Sequence, residues 1–289
     1  MWRKGKNTAL AYRGAHYIEP SAIDGAGNVL GSVGNTAVLW RKGVPTALGA
    51  FGPNGMNDDG RVVVGTGNVG ANPHAYVWRN GTLTELPGLG GTETYADAVS
   101  QGGTVVGYSA LPSGVDHAVA WHHGMAVDLG SVSGLDSVAT LISADGTIFG
   151  FASTHDGSSR VALEWKGGCL IVLGRFDAGG ARPVAVNAHG DILIQTQTAS
   201  QDAVGLVLVR NGKTIPVVVP ALGHQGLWAV GLDDEDDVVG YGTTTLRGFL
   251  WRNGRATLLP PDEQPLAVAG GWIVASKSSG GGVLLRLRG

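Results

Sequence analysis

The sequence has one cysteine, Cys169, in 289 residues. No intramolecular disulfide and no cysteine metal cluster can therefore form. Nowhere is there an apolar run of the roughly 18 residues that a transmembrane helix needs. The start, Met1-Trp2-Arg3-Lys4-Gly5-Lys6, has no apolar stretch behind it of the kind a secretory leader carries. The expectation is a soluble, cytoplasmic protein, unless a leader has been removed. Charge is sparse, at 15% of residues and a net of −3, and no basic stripe is visible. That argues against nucleic acid and membrane partners. There is no nucleophile elbow, no zinc motif and no phosphate loop, so no metal and no cofactor are expected.

Glycine, in contrast, is abundant, at 49 residues. A long all-β chain with many tight turns needs glycine where φ is positive. Regular apolar strands between the glycines argue against disorder. Residues 95–130 set the pattern: Tyr95-Ala96-Asp97-Ala98-Val99-Ser100, a turn, Val105-Val106-Gly107, then His117-Ala118-Val119-Ala120-Trp121, Gly124, and Leu129-Gly130. This reads as four short strands. It recurs about every 40 residues, a period that means a propeller, a solenoid or an array.

Each first strand ends in an apolar residue and a short, usually polar one: Ile23-Asp24, Met56-Asn57, Val99-Ser100, Ile142-Ser143, Val186-Asn187, Leu232-Asp233 and Val268-Ala269. Asp, Asn and Ser start turns by bonding their own backbone. Glycine usually follows in the turn, and Asp236 takes its place in the sixth unit. Third strands end at Trp40, Trp78, Trp121, Trp165 and Trp251, with Val209 and Arg286 at that place in the other two and Trp2 as a truncated copy. These tryptophans share one repeat position and read as blade packing. Asn80-Gly81 and Asn253-Gly254 favour type I′ hairpins into the fourth strands. The count fits seven four-stranded blades. The last lacks a fourth strand, which Asn7-Thr8-Ala9-Leu10-Ala11 can supply, closing the ring and hiding both edges. The predicted fold is therefore all-β: one seven-bladed β-propeller domain over residues 1–289, closed by the N-terminal strand in the last blade. An open solenoid is the alternative. Arg3, Lys4, Lys6, Arg286 and Arg288 would gather at the closure as a solvated edge.

The segments His74-Ala75-Tyr76-Val77-Trp78-Arg79-Asn80-Gly81 and His117-Ala118-Val119-Ala120-Trp121 resemble the HAF repeat: a His-Ala-Phe-like strand, tryptophan, a glycine turn and a leucine-glycine end. The likeness covers nearly the whole chain and weakens at Gly205–Val209 and at the C-terminus. It implies a propeller-like β fold, often in secreted proteins, and no single activity. The overall plan is also similar to seven-bladed streptogramin lyases, whose sequence motifs are missing here.

Three local motifs have plain readings. Gly65-Thr66-Gly67-Asn68-Val69-Gly70 matches a dinucleotide fingerprint by letter, but no helix follows, so it reads as an inter-strand loop. Asp233-Asp234-Glu235-Asp236-Asp237 lacks the alternation of a calcium loop and reads as a solvated turn. His122-His123 falls in a hairpin turn and reads as solvated surface.

Subtracting the repeated scaffold leaves two variable rings. One precedes the small-or-proline position of each first strand: Glu19, Gly52, Tyr95, Val138, Arg182, Trp228 and Gln264. The other follows the second strands: Ser32, Thr66, Tyr108, Phe151, Gln195, Tyr241 and Ser276. Loops entering the first strands add His16, Tyr17, Glu93, Asp136, Arg175, Asp177, His224 and Asp262. Aromatic walls with a few convergent polar groups suit a small organic ligand at the channel mouth. The candidate catalytic set is Glu19, His16, Tyr95 and Arg182. The candidate ligand-binding set is Trp228, Tyr17, Tyr108, Phe151, Tyr241, Gln264 and His224. Two functions fit: metal-independent acid–base chemistry of lyase, cyclase or isomerase type on a small molecule, or a non-catalytic ligand-binding or protein-interaction scaffold. A monomer is expected.

Overall fold

The structure is a computed structural model. It describes residues 2–3, 6–7, 10–15, 18–24, 27–132, 134–154, 159–174, 179–198, 202–269, 271–277 and 282–286. Among the described residues, apart from a single 3₁₀ turn at Pro220–Leu222, the regular elements are all strands. The chain forms two compact units, residues 1–142 with 167–170, and residues 143–166 with 171–289.

In the first unit three repeats each give a four-stranded antiparallel sheet in chain order. Their first strands are Glu19–Ile23, Gly52–Met56 and Thr94–Val99. Asp136–Ile142 begins a fourth repeat. In the second unit, sheets beginning at Gly179–Val186 and Leu227–Leu232 run the same course. Glu263–Ala269, Trp272–Lys277 and Gly282–Arg286 make a three-stranded sheet.

The turns follow the expected chemistry. The backbone N–H of Asn28, Val62, Thr104, Asp191 and Asp237 donates to the side chain of Asp24, Asn57, Ser100, Asn187 and Asp233 respectively. Asp236 does adopt a positive φ, 63°. Asn80 and Gly81, at 50° and 90°, and Asn253 and Gly254, at 49° and 80°, carry the two positive φ values of a type I′ turn. The Gly65–Gly70 stretch is not a loop. The strand Val62–Val69 runs through it, with Gly67 facing His74 and Val69 facing Asn72 across a hairpin.

First strands carry a bulge immediately after the small-or-proline position: the register slips at Ser21, Asn54, Asp97, Val184, Val230 and Leu266. The second strand approaches closely just before it. A Cβ on Gly107 would lie 1.9 Å from the Tyr95 carbonyl oxygen, and one on Gly65 2.1 Å from that of Gly52. Glycine thus lets two backbones close at the point where the first strand is re-aimed. Ile194 stands at this place opposite Pro183, so the fifth repeat does without it.

Third-strand tryptophans are core. Trp40, Trp78, Trp121, Trp165 and Trp251 are all buried. The Trp121 Nε1–H donates to the Pro87 carbonyl at 2.7 Å, and that of Trp40 to the Ala11 carbonyl at 2.9 Å. Adjacent repeats are also pinned by polar contacts. Arg41 reaches the Gly60 carbonyl and Arg79 that of Gly103. In the second unit Asp234 accepts from the Ala188 N–H, and Asp236 accepts from Asn187 and pairs with Arg210.

The solvated-turn expectation for residues 233–237 needs correction. Asp237 is 0% exposed and Asp233 4%. Asp233 turns inward to accept the N–H groups of Glu235 and Asp237, and Asp237 pairs with Arg252. Only Asp234 and Glu235 face solvent. At the N-terminus, Lys6–Asn7 pairs with Trp2–Arg3.

Candidate functional site

The two variable rings face each other. Glu19 pairs with Ser32, Gly52 with Thr66, Tyr95 with Tyr108, Arg182 with Gln195, Trp228 with Tyr241 and Gln264 with Ser276, each directly across the first and second strands. The bulges come next along each of these six first strands, so these repeats offer the same three places at this end.

In residues 1–142, Glu19 accepts from the Ser32 hydroxyl at 3.2 Å. Tyr95 and Tyr108 stack with ring centroids 4.5 Å apart and planes 14° from parallel. Burial, then the hydrogen-bonded Tyr95, pushes the Tyr108 phenol up, with the Asp116 and Asp97 carboxylates adding to it. Glu93 contributes its backbone carbonyl to the Ala110 N–H, and Asp136 accepts from the Asp116 N–H. The residue missed from sequence is Asp97. It occupies the bulge beside Tyr95, one of its carboxylate oxygens is buried without a hydrogen-bond partner, and burial pushes the group up to about 6. The Thr140 hydroxyl is likewise buried and unpartnered. The signal was available: Ser21, Asn54, Asp97 and Thr140 are a polar series at one repeat position, whereas Val184, Val230 and Leu266 are apolar.

In residues 143–289, Arg182 lies over Trp228 with its guanidinium carbon 5.3 Å from the ring centroid. Arg160 lies over Phe151 at 5.0 Å. The two arginines are electrostatic neighbours: burial first, and then the Arg160 charge, push the Arg182 guanidinium down. Its Nε has no hydrogen-bond partner, and among the described residues no carboxylate pairs with it. Arg160 was also missed from sequence, because it opens a third strand (Arg160–Lys166) instead of ending a second. Gly180 brings it in. Arg160 and Gly180 form a parallel bridge, and a Cβ on Gly180 would lie 2.8 Å from the Arg160 backbone nitrogen. Arg160 Nη1 also donates to Gln197 Oε1 at 3.2 Å. Gln195 is fully buried and committed to the backbone. It donates to the carbonyls of Leu227 and Gly205 and accepts from the Ala229 N–H.

Not every sequence candidate belongs to these groups. His224 is exposed beyond the 3₁₀ turn, and Asp262 is exposed in a turn. Beside His224, Gln225 accepts from the N–H groups of Thr244 and Thr245. His16, Tyr17, Arg175 and Asp177 lie outside the described residues. His122 and His123 are exposed, but only His123 lies in the turn, since His122 ends the strand Asp116–His122 and pairs with Met125.

Carboxylate oxygens of Asp233, Glu235 and Asp237 lie within 4.8 Å of one another. Backbone N–H groups and Arg252 already engage Asp233 and Asp237. Millimolar calcium, zinc or a chelator is therefore expected to leave the melting temperature unchanged. A rise with either ion would make this turn a metal site, because a ligand that binds the native state stabilises it.

Among the described residues no helix is long and apolar enough to cross a membrane. No family model matches the chain, and no curated protein matches it. Solved structures do. The β-propeller domain of the trilobed protease from Pyrococcus furiosus, described as having an open velcro topology, aligns with TM-score 0.63 and 8% identity over 94% of this chain and 95% of that one. Hydrazine synthase from Kuenenia stuttgartiensis aligns with TM-score 0.60 and 13% identity over 99% of both chains. Virginiamycin B lyase from Staphylococcus aureus aligns with TM-score 0.48 and 12% identity over 93% of this chain and 85% of that one. At these identities the first two likenesses are ones of fold: the chain has an all-β, propeller-type architecture.

Proposed function

We propose that this chain is a single seven-bladed propeller, closed by its N-terminal strand, that binds a small organic molecule at the ends of its first strands. The binding reading is carried by one observation: Arg182 stacked on Trp228 at a repeat position where folding demands neither. Blade packing uses other tryptophans, and the neighbouring repeats fill these two places with quite different residues. A thermal-shift screen of small organic compounds tests it. Stabilising compounds should lose their effect in Trp228→Ala, while the unliganded melting temperature stays close to that of the parent. Compounds that stabilise the variant equally would end the reading.

Closure is supported by a repeated contact. Trp121 bonds the carbonyl after Leu86, where a fourth strand ends, and Trp40 bonds the carbonyl after Leu10. Leu10–Ala11 thus stands to Trp40 as Leu86–Pro87 stands to Trp121. The N-terminal pairing repeats as well: Trp2 faces Asn7 and Arg3 faces Lys6, just as Trp40 faces Pro45 and Arg41 faces Val44. Deleting residues 1–12 is expected to expose a strand edge and cause aggregation. A monomeric deletion variant with unchanged melting would contradict closure.

Acid–base turnover is a second reading, favoured by Asp97. A carboxyl that titrates near 6 beside stacked tyrosines suits proton transfer.

A further inference from the structure

Resting on the small-molecule reading above, we propose that residues 143–289 hold a site for a small organic carboxylate with a flat apolar body, gripped by Arg182 and Arg160 between Trp228 and Phe151.

A guanidinium does not give up its proton in a protein. Arg182 therefore stays cationic although its Nε is buried without a partner and a second arginine adds like charge. Such a group is costly unless something compensates it. Stacking on Trp228 does so in part. An anion on the Arg182 guanidinium would supply the rest, and the neighbouring Arg160 charge would add to its attraction. The flat fork of arginine matches a carboxylate by two parallel hydrogen bonds.

The surroundings select the rest of the ligand. Phe151 and Trp228 are the platforms under the two cations, and Tyr241 faces Trp228 across the strands. The bulges that follow Arg182 and Trp228 carry Val184 and Val230, not the polar residues found at the equivalent places in residues 1–142. The buried amide Gln195 has its hydrogen bonds occupied by backbone. A phosphate asks for more donors than two arginines, commonly a nest of backbone N–H groups. A planar monoanion with an apolar body needs only what is here. The geometry also has a folding origin: the Gly180 bridge holds the Arg160 backbone two residues from Arg182, so both cations reach one strand end.

Tryptophan fluorescence titration of the full chain tests this with four probes: benzoate, 3-phenylpropionate, benzamide and inorganic phosphate. The carboxylates should bind at least about tenfold more tightly than neutral benzamide, a difference worth one charge-assisted contact. Arg182→Gln and Arg160→Gln should each weaken carboxylate binding by about tenfold or more and leave benzamide unchanged. Trp228→Leu should remove the signal. Should Arg182→Gln fail to fold, Arg182→Lys keeps the charge and loses the planar fork, and it too should weaken the carboxylates. Equal binding of benzoate and benzamide, with Arg182→Gln harmless, would overturn the anion inference and leave the small-molecule reading standing. Phosphate binding in preference to the carboxylates would overturn the carboxylate class. No binding by any probe, or a signal that survives Trp228→Leu, would overturn both.

Discussion

Asp97→Asn is expected to stabilise the protein by about 3 kcal/mol at pH 8 and to change nothing at pH 3. Burial raises the Asp97 carboxyl from an ordinary 3.8 to about 6 in the folded chain. Below the unfolded value both states are protonated and the group is neutral in its effect. As pH rises toward 6 the unfolded state gives up its proton first, so stability falls. Above 6 the full penalty remains, about 1.4 kcal/mol for each pKa unit. Asparagine removes it by being neutral at every pH. It should also find a partner. Asn54, at the same bulge one repeat earlier, donates its amide to the Ala96 carbonyl at 2.8 Å; the equivalent carbonyl in the repeat after Asp97 is that of Ala139. Urea denaturation at the two pH values checks this. Asp233 is also raised to about 6 by burial and lends the parent protein a loss of stability over the same window. The substitution isolates the Asp97 share. Equal stability of parent and variant at pH 8 would mean that Asp97 is solvated.

Trp121→Ala should be strongly damaging, costing about 3–5 kcal/mol. The side chain is 1% exposed and packs with Val62, Val64, Val77, Leu86 and Val119. Its loss opens a cavity and leaves the Pro87 carbonyl without its 2.7 Å donor. Trp228→Ala, by contrast, removes an aromatic whose recorded ring contact is with Arg182, and should cost far less. Denaturant midpoints of the two variants separate scaffold tryptophans from site tryptophans. Similar losses in both would mean that Trp228 is packing after all.

The scaffold was legible because each repeat spends the same residue types on the same physical needs. Asp24, Asn57, Ser100, Asn187 and Asp233 all cap one turn, and Asn80-Gly81 and Asn253-Gly254 both take the conformation their letters demand. The membership of the two variable rings came from alignment alone; that they face each other, Tyr95 with Tyr108 and Trp228 with Tyr241, comes from the strand pairing. What was not legible depended on departures from alternation and on contacts between repeats. A bulge has no letter of its own, so Asp97 read as an ordinary strand residue although it is the one re-aimed, with a carboxylate oxygen buried. The pairs Asp236–Arg210 and Asp237–Arg252 turn a charged run into a partly buried latch, which local composition cannot reveal. Arg160 depends on Gly180 from the next repeat for its place.

The central claim is that ligand chemistry resides at the first-strand ends, with Arg182 and Trp228 at its heart. Crystals soaked with a mixture of small aromatic acids test it most directly. The account predicts a compound bound against the Trp228 ring with its carboxylate on Arg182. Compounds seated only on the exposed fourth-strand faces, at Met125 and Val127 or at Ile171 and Val172, with the Arg182–Trp228 stack untouched, would contradict it.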